Sequence, residues 1–324
     1  MREEIIGVLN CSTEEFYKNY FQRATSLRFQ YFGRRVETCA ILNAKSGKCP
    51  SDCKFCAQSV KFNVPVKVYP LLSERELLDR ALTALEEGVD RFSFVTSGIS
   101  PTPEELKTIG KVIETVKSLR PNSLLCASLG QLKREELKFL KDCGLDRYHH
   151  NIETSREFYP RISTVQRWED RVRTVADAKE VGLSTCCGGI FGLGERDEDV
   201  ASMIETLKEL QVDSIPVNFL HPIRGTPLEG ANFLTPLRCL RILVAVRLSI
   251  PEAEIRVCGG REYNLRELQP LILLPANALM VGNYLTTRGK SLENDVRMIE
   301  DLGLESSLKR KWRAREDSNL QPTD

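Results

Sequence analysis

Ser73-Glu-Arg-Glu-Leu-Leu-Asp-Arg-Ala-Leu-Thr-Ala-Leu-Glu-Glu-Gly88-Val-Asp-Arg-Phe-Ser-Phe-Val-Thr96 reads as one helix followed by one strand. Ser73 and Glu76 have the spacing of a capping box, in which each side chain satisfies the other residue's free backbone N–H. Leu77, Leu78, Ala81, Leu82 and Leu85 then share one face of a helix over 74–87. Gly88 ends that helix, and the apolar run 91–96 follows as a strand.

The unit recurs on both sides. Strand-like runs at 36–42, 91–96, 123–128, 146–152, 183–191, 214–220, 254–258 and 277–284 alternate with helical periodicity. The helical segments are 74–87, 103–119, 133–143, 165–181, 195–210, 236–249, 264–274 and 292–302, with Gly144 and Gly182 closing two of them. Eight strand–helix pairs are the count of an α/β fold of the (β/α)8 TIM-barrel type. Strand order is not readable from one sequence, so a doubly wound open sheet stays open as an alternative. A helical stretch over 12–30 precedes the first strand. The expected division is an N-terminal helical extension (1–35), the barrel (36–305) and a polar, disordered C-terminal tail (306–324).

Composition agrees with a folded, soluble chain. Of 324 residues, 41% are apolar and 28% charged, which excludes collagen-like, low-complexity and wholly disordered classes. Lys and Arg number 46 against 45 Asp and Glu, a net charge of +1. Such a balance gives no footprint for nucleic acid or an anionic membrane and points to a small-molecule substrate. The N-terminal apolar run is too short for a signal peptide, and Pro275, Asn277, Gly282 and Asn283 interrupt the most apolar window, 271–285. A cytoplasmic location is expected. There, eleven cysteines indicate metal binding or catalysis instead of disulfides.

Cys49-Pro-Ser-Asp-Cys53-Lys-Phe-Cys56 follows the first strand with C-x3-C-x2-C spacing. Three thiolates on one loop suit three corners of a cubane 4Fe–4S cluster and leave one iron open. Structural zinc sites and ferredoxin-type carriers close their coordination with a full ligand set. Barrel active sites lie at the C-terminal ends of the strands, so an open iron there predicts catalysis.

With Phe55 before its last cysteine, the motif resembles that of the radical S-adenosylmethionine superfamily. The segments 43–59, 148–155, 187–195, 218–228 and 256–261 look more narrowly like the biotin synthase family, collinearly over about 23–304. The resemblance implies that S-adenosylmethionine binds the open iron and is cleaved to a 5′-deoxyadenosyl radical. It also implies a second cluster inside the barrel, usually 2Fe–2S on three cysteines and an arginine. The matching positions are Cys126, Cys186 and Arg256, but Ser93 stands where the third cysteine belongs. A serine oxygen is a harder, poorer iron ligand than a thiolate. Cys258 lies two residues after Arg256 and so on the same strand face, while Cys187 would need a bulge to join Cys186. Both are candidate extra ligands, which opens a four-iron type for the cluster beside the usual 2Fe–2S, with Cys258 favoured; otherwise they are small buried hydrophobes. Cys11, Cys39, Cys143 and Cys239 are expected to be packing residues.

By the same resemblance His149, Asn151 and Asn218 face the substrate, and Asn151, Glu153, Gly189 and Ile190 face S-adenosylmethionine. An amide both donates and accepts, as the ureido ring of dethiobiotin requires. Glu153 and His149 depart from the family's usual aspartate and asparagine. The implied reaction is sulfur insertion at two unactivated C–H positions of dethiobiotin, giving biotin. A flavodoxin or ferredoxin as electron donor and a homodimer are implied with it. Two alternatives stay open: a related radical enzyme, maturase or mutase, and a non-catalytic iron–sulfur electron carrier.

Overall fold

The computed structural model describes residues 1–308. Its strand segments are β1 (Glu37–Lys45), β2 (Arg91–Thr96), β3 (Leu124–Ser128), β4 (Arg147–His149), β5 (Ser184–Cys186), β6 (Gly189–Phe191), β7 (Ser214–Phe219), β8 (Glu254–Val257) and β9 (Ala278–Met280). All their pairings are parallel, in the order β5-β4-β3-β2-β1-β9-β8-β7-β6, and Cys186 of β5 also pairs with Ser214 of β7. That last pairing closes the sheet. β5 and β6 are halves of one strand, so nine segments fill the eight positions of a TIM-type barrel and the open-sheet alternative is removed.

The break in the fifth strand has a local cause. Pro216 in β7 has no N–H to offer the ladder beside it. Added Cβ atoms at Gly188 and Gly189 would stand 2.1 Å from the Pro216 carbonyl oxygen and 2.2 Å from that of Glu153. Only glycine admits backbone so close on both sides.

The helices are α1 (Arg2–Asn10), α2 (Thr13–Glu15), α3 (Gln22–Phe32), α4 (Glu74–Glu86), α5 (Pro103–Leu119), α6 (Arg134–Asp142), α7 (Trp168–Glu180), α8 (Asp197–Glu209), α9 (Pro236–Ser249), α10 (Arg261–Leu265) and α11 (Leu292–Asp301). The capping box of α4 is formed as expected: Glu76 N donates to Ser73 Oγ (3.3 Å) and Ser73 N to the Glu76 carboxylate (3.0 Å). Three expectations change. Helix begins already at Arg2. The segment expected as one helix over 264–274 is instead α10 plus a 3-10 turn (Arg266–Leu273), because Pro270 cannot donate an i→i−4 bond. The last strand is cut to Ala278–Met280, and Gly282 turns the chain with φ +75°. Most of the expected tail, 309–324, lies outside the described residues.

Two polar contacts fix the frame around the barrel mouth. Asp52, inside the cysteine loop, accepts from Ser163 Oγ (2.9 Å), Thr164 N (2.9 Å) and Val165 N (3.1 Å), tying that loop to the segment after β4. Although burial pushes the other way, these bonds hold its carboxyl well below the usual range. Arg261 at the start of α10 donates to both oxygens of Asp295 in α11, each at 2.8 Å, with both side chains fully buried. Breaking a buried pair strands a charge, whereas replacing both partners removes it. Asp295→Ala leaves Arg261 only the partly exposed Glu262 at 3.3 Å as counter-charge and should destabilise the protein by about 3 kcal/mol, the low end for a broken buried pair. The Arg261→Met/Asp295→Leu double variant should recover most of the lost thermal stability, measured by anaerobic unfolding of the same preparation.

Candidate active site

Inside a closed barrel, every second residue of each strand points to the axis. At the C-terminal end of this barrel those residues and the loops above them enclose a cavity of about 360 Å³. Cys49, Cys53 and Cys56 line its mouth, on the loop that follows β1. Ser93, Cys126, His149, Cys186, Arg256 and Cys258 line it from the strands, and Asn151, Glu153, Ile190 and Asn218 complete the wall. Of the residues singled out from sequence, Cys187 and Gly189 do not line it. Cys187 is fully buried in the hydrophobic core, on the opposite side of the strand from Cys186. The other candidate extra ligand, Cys258, lines the cavity instead. Gly189 serves the close approach of the Glu153 carbonyl.

The mouth loop is held by backbone and side-chain bonds together. Cys49 N donates to Gln58 O (3.0 Å) and Val60 N to Cys49 O (2.9 Å). Cys53 Sγ stands 3.3 Å from Ser51 Oγ and 3.7 Å from Ser163 Oγ. Burial, with the neighbouring thiols, pushes Cys56 up to about 12. A bound cation is what makes such thiols ionise. Among the described residues no three donors converge on a place for a single metal ion. The ligands of an iron–sulfur cluster each reach a different iron, so three spaced thiols on one loop fit a cluster better than a lone ion.

The strand thiols sit above a charged floor. Glu254 accepts from Arg147 at 3.1 and 3.2 Å, from Ser214 Oγ at 2.9 Å, and from Arg256 Nη2. Burial alone would raise its carboxyl, but Arg256 and Arg147 outweigh that and bring it to about 2. Burial pushes Cys126 up to about 12 and raises Cys186 and Cys258 as well. His149 Nδ1 lies 3.2 Å from Cys186 Sγ. Burial, assisted by Arg256 and Arg147 against Glu153, lowers that imidazole to about 4, so it is neutral at pH 7.

Between mouth and floor, two amides are fixed by backbone. Asn218 Nδ2 donates to Gly189 O (3.2 Å), and its Oδ1 accepts from Gly259 N (3.1 Å). Asn151 Oδ1 accepts from Gly188 N (3.1 Å). Each amide keeps a further donor and acceptor position. Glu153 occupies the left-handed region at φ 69°, which a non-glycine residue enters at a cost. Arg171 of α7 holds it, reaching Glu153 Oε1 (3.3 Å), Asn151 O (2.9 Å) and the Tyr159 hydroxyl (2.7 Å). Nothing local in the sequence marks Arg171, which there resembles any charged helix residue. Cys39, expected to be a packing residue, also lines the cavity, from β1 two residues before Ile41. The strand's two-residue period was the available signal.

Comparisons with known proteins agree along nearly the whole chain. The Radical SAM superfamily model matches residues 44–207, and the Biotin and Thiamin Synthesis associated domain matches 216–305. Biotin synthase of Thermodesulfovibrio yellowstonii is 48% identical over 289 residues, 89% of this chain and 90% of that protein. Biotin synthase of Aquifex aeolicus is 45% identical over 303 residues, 93% and 91% of the two chains. Among solved structures, methylornithine synthase superposes with a TM-score of 0.83 at 20% identity, covering 94% of each chain. The FeFe-hydrogenase maturase of Carboxydothermus hydrogenoformans gives 0.82 at 19%, covering 94% of this chain and 75% of that one. These two carry the fold alone. The chain thus belongs to the biotin synthase family of radical S-adenosylmethionine enzymes, whose cofactors are a 4Fe–4S cluster, S-adenosylmethionine and an auxiliary iron–sulfur cluster.

Proposed function

We propose that this protein is a sulfurtransferase that converts dethiobiotin to biotin inside the barrel. The observation that carries the reading is one cavity that joins the Cys49–Cys53–Cys56 loop to the strand thiols, with paired amides between them. Cys49, Cys53 and Cys56 would hold the 4Fe–4S cluster; Cys126, Cys186 and Cys258, with Arg256 beside them, would face the auxiliary cluster. When bound, these groups supply the electron that cleaves S-adenosylmethionine to a 5′-deoxyadenosyl radical and the sulfur that enters the product.

The chain's own residues bind, orient and exclude water. Asn151 and Asn218 offer a urea complementary donors and acceptors, and because their own bonds to Gly188, Gly189 and Gly259 pre-set them, little rotamer entropy is lost on binding. Glu153, steadied by Arg171, would accept from the ribose hydroxyls of S-adenosylmethionine, and Ile190, which lines the cavity, would pack against its adenine. His149 lies nearest Cys186 and completes the substrate wall. The barrel shields reactive carbon centres from water.

No helix among the described residues is long and apolar enough to cross a membrane. A cytoplasmic location, a homodimer and a flavodoxin or ferredoxin electron donor belong to the same proposal through family resemblance. So does the division into a helical extension over 1–35, a barrel over 36–305 and a tail. Val36 N donates to Glu305 O at 2.7 Å, which supports setting the barrel's two ends there.

Anaerobic incubation of cluster-reconstituted protein with S-adenosylmethionine, reductant and dethiobiotin should yield biotin together with 5′-deoxyadenosine by mass spectrometry. Deoxyadenosine without biotin would sink the dethiobiotin assignment while leaving radical chemistry in place. Glu153→Ala should weaken S-adenosylmethionine binding about tenfold or more, the scale of one lost charged hydrogen bond. Equilibrium dialysis against the reconstituted wild type reads that loss. Asn218→Ala should leave it nearly unchanged and raise the KM for dethiobiotin.

A further inference from the structure

Ser93 leaves the strand wall one thiol short of the family's set, and the cavity supplies a thiol on the neighbouring strand. We infer that Cys39 is a ligand of the auxiliary iron–sulfur cluster, completing a four-thiol set with Cys126, Cys186 and Cys258. This rests on the reading above that the barrel holds an auxiliary cluster at all.

Four observations carry it. First, all four side chains line the same cavity from four different strands or strand ends, and each is buried, with exposures of 3%, 3%, 4% and 0% in the order Cys39, Cys126, Cys186, Cys258. Second, register puts Cys39 next to the vacated position. β1 pairs with β2 with Cys39 opposite Arg91 and Ile41 opposite Ser93, so Cys39 lies one inward step from Ser93 across adjacent strands. Third, the thiols bracket the vacated position: Ser93 on β2 stands opposite Cys126 on β3, and β1, which carries Cys39, borders β2 on its other side. Soft sulfur donors gathered in one cavity select iron–sulfur clusters.

The fourth observation concerns Arg256. Its Nη2 is bound to Glu254, which also takes Arg147. The guanidinium head of Arg256 is thereby committed to a carboxylate. Arg256 Nε and Arg91 Nη1 are nevertheless buried without a hydrogen-bond partner. Two orphaned N–H donors beside the thiols call for anionic acceptors, which thiolates or bridging sulfides would provide. Arg256 is thus a hydrogen-bond donor toward the cluster, and Cys39 replaces it as ligand. On assembly each thiol loses one proton and gains one Fe–S bond, with no change in oxidation state at the protein.

The test counts iron separately from turnover. In the full chain, Cys49→Ala/Cys53→Ala/Cys56→Ala removes the mouth site, so the iron left after anaerobic reconstitution reports the strand site alone. Adding Cys39→Ala should lose half or more of that iron and its acid-labile sulfide, whereas adding Ser93→Ala or Cys187→Ala should not. Cys39→Ser, which preserves shape, should retain iron in part and change its Mössbauer isomer shift, because oxygen replaces sulfur at one iron. Full iron in the Cys39→Ala background, or a Cys39→Ser spectrum identical to the parent, would overturn the assignment. A triple variant holding no iron would overturn the auxiliary cluster itself, and the sulfur-insertion reading with it.

Discussion

The constraint on which the rest depends is the buried charge of Glu254. Barrel interiors are ordinarily filled with branched apolar side chains, but this one carries Arg147 and Arg256 on its axis, both nearly inaccessible to water. Two guanidinium groups there would be untenable without a counter-charge. Glu254 supplies it, at the first position of β8, and Ser214 Oγ on the strand alongside donates to its carboxylate. One carboxylate against two guanidinium groups leaves a positive balance. Burial raises the thiols above it, and the arginines pull the other way; their charge lies at the part of the cavity where an anionic cluster would sit.

From that floor upward the site is built by backbone more than by side chains. The two amides of the wall are held by N–H and C=O groups of Gly188, Gly189 and Gly259. Gly188 and Gly189 stand where neighbouring backbone approaches too closely for any Cβ. Breaking the fifth strand costs ladder hydrogen bonds, but the freed backbone groups orient Asn151 and Asn218. The ordinary two-residue alternation of the strand gives the adjacent cysteines separate fates: Cys186 lines the cavity, and Cys187 stays in the core.

Much of this was legible from sequence, and the failures have physical causes. Periodicity located the eight strand positions and the principal helices, because apolar spacing at 3.6 or 2 residues is what burial on one face requires. Helix 264–274 was misread because its apolar spacing is real while Pro270 forbids the hydrogen bonds. The cysteine loop was visible as spacing. Cys39 was not, although it lies in a recognised strand: it has no partner nearby in sequence, and the strand cysteines that share its cavity come from β3, β5 and the end of β8. Arg171 was invisible for the same reason, since its roles are assigned by Glu153 and Tyr159, which only the fold brings to it.

The departure at Ser93 bears on how such a site changes without being lost. A barrel presents equivalent inward positions on every strand, so a ligand can move to an adjacent strand while the cavity keeps its volume and charge. Removing one thiol from a site already floored by fixed arginines leaves donors unsatisfied, and a cysteine anywhere on the same ring of positions meets that need. Cys39 and Cys258 are both on that ring, on strands flanking β9, and Met280 between them is a soft, unbranched filler that accommodates either arrangement. The floor does not have to change at all. Glu254, Arg147 and Arg256 set the electrostatics, and the identity of each thiol-bearing strand becomes a secondary matter of geometry.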